Sequence, residues 1–245
     1  MSVRSETLFH FTKSLNVLEA ILLEGYWPRY CLEDIAWLGT SSASFVSFPT
    51  VCFCDIPLSR IAEHVSFYGN YGLGMSKEWA EANNLNPVLY VAGKNHLSNE
   101  LLQFNTHANK LKKDEQEEAK TTMRYLFAHI KPTAGTMVML GEPVEKVFYQ
   151  ESEWRYVPKS KHILPYLSKE KYDDNEQLEA QNGLTKKHCS LKFTPSDVKY
   201  IFVKTDSDIP GVVDFIQAKL DKYPAADLKI LVSRIVSLES LRTDL

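Results

Sequence analysis

The chain has 245 residues, of which 44% are apolar and 24% charged, and a formal net charge of −3 at pH 7. That is the composition of an ordinary globular chain with length enough for a buried core, and so small a charge excludes a global field that would draw in nucleic acid or acidic lipid. The first ten residues, MSVRSETLFH, hold no apolar signal core, and no run approaches the roughly 20 apolar residues that span a bilayer. The expectation is a cytoplasmic, reduced protein with no membrane partner, in which Cys52 and Cys54 are small buried hydrophobes, because the C-x-x-C spacing is absent.

In chain order, Thr7 to Thr12 (TLFHFT) predicts a short strand with His10 at its centre. Ser14 then caps a helix with Leu15, Leu18, Ile21 and Leu22 on one stripe, closed by Gly25. Residues 26–50 read as an irregular, aromatic and serine-rich loop. Val51 to Cys54 is a second strand, stopped by Asp55-Ile56-Pro57, and Ser59 to Phe67 is helical. In SFYGNYGLGMSKEW three glycines punctuate aromatics around a short strand, after which Ser76 caps another helix. Val88 to Val91 is a buried strand. Residues 97–130 form two helices broken around KLKKDEQEEAK, a solvated charged face.

Met137 to Leu140 and Val144 to Tyr149 are strands leading into Glu151-Ser152-Glu153-Trp154-Arg155. Residues 158–190 are polar, lysine-rich and loop-like. Val198 to Val203, a helix from about Pro210 to Tyr223, and Leu228 to Val232 make a β-α-β tail. Short strands among scattered helices indicate an α+β fold.

Glu151 and Glu153 are the most informative residues. In extended chain, positions i and i+2 face one way, so both carboxylates project together. Close like charges are accepted where a partner or a reaction uses them. A carboxylate pair suits stabilisation of positive charge; the plainer alternative is a charged strand end in which one glutamate pairs with Arg155. Tyr68 and Tyr71 adjoin glycines that would let a flat ligand reach the backbone beneath a stacked ring, or else form a packed turn. No P-loop, G-x-G-x-x-G, G-x-S-x-G or H-E-x-x-H occurs, and no histidine stands at metal-ligand spacing from the glutamates, so no metal is expected. The clusters Lys110, Lys112, Lys113 and Lys186, Lys187 are slight evidence for nucleic-acid binding.

An early strand histidine, a mid-chain aromatic-glycine segment and a late Glu-x-Glu resemble the His-Tyr-Glu form of the ADP-ribosyltransferase superfamily. FHFTKSLNVLEAILLEGYWP is similar to the opening of DarT-like transferases. FCDIPLSRIAEHVSFYGNYGLGMSKEWAEANNLNPVLYV with ESEWRYVP resembles the abortive-infection AbiGi family of phage-defence proteins, over about residues 8–160. Members of that family carry an antitoxin label; a defence toxin of the CmdT kind, which ADP-ribosylates mRNA, is a related expectation.

The resemblance implies split antiparallel sheets flanked by helices, with NAD as co-substrate and no metal. It implies a catalytic core over 1–160 and a C-terminal extension over 161–245. His10 and Thr12 would contact NAD and Tyr68 or Tyr71 would stack on nicotinamide. Glu153 would stabilise the oxocarbenium ion, and Glu151 would orient the acceptor nucleophile, in RNA, DNA or protein. Such a toxin would need a cognate antitoxin partner. The competing expectation is a non-catalytic antitoxin or binding component; a metal-assisted nuclease has only the paired acids in its favour.

Overall fold

In the computed structural model, which describes residues 5–39, 44–139 and 142–244, the first elements follow their local signals. Ser14 accepts from the Val17 amide and Gly25 ends the first helix at φ 82°. The strands run in chain order as β1 (Thr7–Thr12), β2 (Arg29–Asp34), β3 (Phe45–Cys54), β4 (Tyr71–Ser76), β5 (Asn86–Pro87), β6 (Leu89–Val91), β7 (Ile130–Pro132), β8 (Gly135–Met139), β9 (Glu142–Lys146), β10 (Glu153–Tyr156), β11 (Leu167–Ser168), β12 (Val198–Val203) and β13 (Ile235–Ser237). The helices are α1 (Leu15–Glu24), α2 (Ile61–Tyr68), α3 (Lys77–Ala82), α4 (His96–Ala108), α5 (Lys113–Phe127), α6 (Lys169–Asp173), α7 (Asn175–His188), α8 (Ile209–Lys219), α9 (Ala225–Val232) and α10 (Leu238–Asp244). None is long and apolar enough to cross a membrane among the described residues.

The chain does not divide near residue 160. One unit comprises Met1–Tyr26, Cys52–Leu85 and Leu191–Leu245, the other Trp27–Val51 and Asn86–Ser190. The cause is strand pairing between segments distant in sequence. In the first unit β4 pairs antiparallel with both β1 and β12, and β13 lies parallel to β12. Alternation along β1 sends Phe9 and Phe11 into a core with Ile61 and Val65 of α2, Phe202 of β12 and Leu238 of α10. At Gly69, φ is 123° and an added Cβ would lie 2.2 Å from the Thr12 carbonyl oxygen, so the turn into β4 requires glycine.

In the second unit β2 pairs antiparallel with β3, from Arg29 opposite Thr50 to Asp34 opposite Phe45. The expected loop over 26–50 is therefore largely a strand pair. The outer edge of β2 is closed by α7: the Tyr30 amide donates to Asn182 Oδ1 (3.0 Å) and the Thr185 hydroxyl to the Pro28 carbonyl. That places two polar side chains, Asn182 and Thr185, in the interior with their hydrogen bonds made. Helix α7 also corrects the loop expected over 158–190. Asp174 caps it, Glu176 stands in its first turn, and Lys186, Lys187 and His188 in its last complement the helix dipole.

Two further expectations change. Leu228 to Val232 is the end of a helix, α9, that begins after Pro224, and the strand parallel to β12 is Ile235–Ser237. The second strand expected before the glutamates ends at Lys146, and Phe148–Glu151 is a 3-10 turn. Among the described residues of the expected first one, Gly135–Met139 is β8, hairpin partner of β9; Leu140 lies outside them.

Candidate functional site

Ser152 adopts a left-handed conformation (φ 44°, ψ 54°) between Glu151, which ends the 3-10 turn, and Glu153, which opens β10. The two glutamates are therefore not alternate residues of one strand, and the shared-face expectation fails at that turn. They are brought together instead by Lys131 of β7, whose ammonium lies 2.7 Å from Glu153 Oε2 and 3.6 Å from Glu151 Oε2. Both carboxylates are buried, Glu151 6% and Glu153 4% exposed.

Four more groups complete the cluster. Lys146, at the end of β9, lies 2.5 Å from Glu151 Oε1. Arg155, fully buried, donates through Nε to Glu153 Oε1 (2.5 Å), through one terminal nitrogen to the Ala128 carbonyl (2.8 Å) and through the other to Glu33 Oε1 (2.6 Å). The Glu153 amide donates to the Tyr90 hydroxyl at 2.8 Å. Three acids, Glu33, Glu151 and Glu153, thus meet three bases, Lys131, Lys146 and Arg155. A balanced, hydrogen-bonded set is the condition under which buried charge is tolerated. Burial and the nearby Arg155 both lower the Lys131 pKa, but Glu153, Glu33 and Glu151 more than offset them, so it lies above the ordinary lysine value.

The first unit holds the other predicted residues. His10 Nδ1 donates to the Cys52 carbonyl oxygen (2.8 Å); since a carbonyl only accepts, a neutral ring carries its proton there and Nε2 is an acceptor. Burial lowers the His10 pKa, partly offset by that hydrogen bond. The ring stands edge-on to Tyr26 and tilted against Phe53. Thr12 is the register partner of Tyr71 across β1 and β4, so those two are adjacent, with His10 two positions back on Thr12's face. Tyr71 has its pKa raised by desolvation and then by Asp208, which it also hydrogen-bonds. Tyr68 lies tilted against His64 (4.4 Å between centroids, 32° between planes) and packs on the Phe9 core.

The plainer alternative, one of the two glutamates paired with Arg155, holds for Glu153, while Lys131, Lys146 and Glu33 are missed by sequence reasoning. Glu33 meets Arg155 across 122 positions and Lys131 meets Glu153 across 22, while Lys146, close to Glu151 in sequence, is set against it by a 3-10 turn where the sequence predicts strand. Among the described residues no group of three or more His, Cys, Asp or Glu is arranged to hold a metal ion.

Residues 25–204 match the family model described as "Putative abortive phage resistance protein AbiGi, antitoxin". The chain belongs to the AbiGi family. It is also 28% identical to the abortive phage resistance protein AbiGi of Lactococcus lactis subsp. cremoris, over 89% of this chain and 99% of the relative. No solved structure matches. The match to the family model takes in Tyr68, Tyr71, Glu151 and Glu153, begins after His10 and Thr12, and runs past the expected limit at 160 to include α6, α7 and β12.

Proposed function

We propose that this AbiGi protein is the antitoxin component of an abortive phage resistance system and acts by binding a partner toxin rather than by turnover. The family description supports this reading. The structural observation that carries it is the state of Glu153: at 4% exposure, one of its oxygens meets Arg155 and the other Lys131. A carboxylate that stabilises a developing oxocarbenium ion does so by differential interaction with the transition state. A carboxylate already compensated by two buried cations has little such difference to offer. The same compensation suits a rigid binding module, where satisfied buried polar networks fix one conformation.

A second reading, an NAD-dependent ADP-ribosyltransferase acting as a toxin, is favoured by one arrangement. Thr12 sits opposite Tyr71, and His10 on the same strand has an accepting Nε2 suited to a ribose hydroxyl. In that reading Glu153 and Glu151 would serve at the nicotinamide bond and the acceptor.

Co-expression with the toxin of the same system separates the two. The binding reading predicts that growth is restored by wild type and equally by a folded His10→Gln variant. The transferase reading predicts that the chain alone slows growth and transfers label from NAD to RNA, DNA or protein, and that His10→Gln abolishes both effects.

A further inference from the structure

Each glutamate of the pair has its two oxygens held for different purposes. The Oε1 atoms are anchored from outside, Glu153 by Arg155 and Glu151 by Lys146, each at 2.5 Å. The Oε2 atoms face inward to Lys131, at 2.7 and 3.6 Å, and a 3.4 Å contact from Arg155 further fixes that of Glu153. The third wall is aromatic: the Lys131 ammonium lies 4.4 Å from the Phe148 ring centroid. Two oriented carboxylate oxygens and a ring face are the elements that recognise a compact organic cation. The anchoring of the outer oxygens does not depend on Lys131.

We infer that Glu151, Glu153 and Phe148 form a site for a primary ammonium group, which the chain fills with its own Lys131. The raised Lys131 pKa accords with this. Lys131 is delivered by β7, whose register beside β6 sets it opposite Tyr90, and the Tyr90 hydroxyl accepts from the Glu153 amide. The pocket and its occupant thus arise from separate elements, and the Oε1 anchors from Lys146 and Arg155 are made independently of the occupant's side chain. The inference holds whichever functional reading is correct.

The test is chemical replacement of the missing cation. Lys131→Ala, which keeps Cβ, is titrated with n-propylammonium, with 1-propanol and tetramethylammonium chloride as controls, and thermal unfolding is followed. At an amine concentration about ten times its Kd, the midpoint of the variant should rise by roughly 3–6 °C while wild type does not move. The neutral alcohol and the quaternary cation, which cannot donate to both carboxylates, should have little effect. If Lys131→Ala does not fold unaided, it is refolded from urea with and without the amine, and the recovery of folded protein is read in place of the midpoint. No amine-specific rise, or an equal rise in wild type, would overturn the inference.

Discussion

Replacing Arg155 by Met keeps most of the side-chain volume and deletes the guanidinium from the centre of the ion network. Glu153 Oε1, Glu33 Oε1 and the Ala128 carbonyl all lose their Arg155 donor at once. Removing one member of a buried ion pair costs about 3–5 kcal/mol, mostly from the charge left behind. Two features moderate that cost here. The Glu33 side chain is 19% exposed, so water can resolvate it, and Glu153 keeps Lys131 at 2.7 Å. The expected loss is therefore about 3 kcal/mol, or roughly 6–12 °C in Tm for a chain of this size. Urea unfolding followed by tryptophan fluorescence should show the midpoint falling at unchanged slope. The double variant Arg155→Met, Glu153→Gln should be more stable than the sum of the single effects by about 1 kcal/mol or more, because the second change removes the stranded charge. A loss below about 1 kcal/mol for Arg155→Met would refute the reasoning, since that is the behaviour of an exposed, screened pair.

Two other outcomes follow from particular residues. His10 and His129 both have lowered pKa values, chiefly from burial, so the unfolded chain binds protons first; stability should hold above about pH 6.5 and fall as pH drops from there toward the folded-state values. His10→Gln should flatten part of that slope, and a His10 ring titrating above 6.5 by NMR would contradict it. Gly69→Ala forces a Cβ against the Thr12 carbonyl at a positive φ and should cost about 1–3 kcal/mol in urea unfolding, whereas Gly183→Ala, within a helix with open space around it, should be neutral or stabilising.

What was legible in the sequence was local. Strand β1, the Ser14 and Ser76 caps and the break between α4 and α5 follow from residues within a turn of each other. The strand pair β2–β3 was not, because Arg29, Glu33 and Asp34 make β2 look like a loop, and its cover comes from Asn182 and Thr185, some 150 residues away. LKILV reads as a strand from its apolar run, yet apolar runs of that length do not separate strand from helix, and Pro224 starts a helix there. The candidate site divides in the same way. The pairing of one glutamate with Arg155 is local and is the plainer alternative that the sequence offers; the structure makes that glutamate Glu153. Glu33 meets Arg155 across 122 positions, and Lys131 meets Glu153 across 22, so the cation shared by the two glutamates could not be seen from their neighbourhood.

The most direct test of the account is growth of cells that express the toxin of the same abortive-infection system together with this chain. The binding account predicts that wild type and folded His10→Gln restore growth equally, with no label passing from NAD to any acceptor. Failure of wild type to restore growth, or toxicity of the chain alone that disappears in His10→Gln, would contradict it.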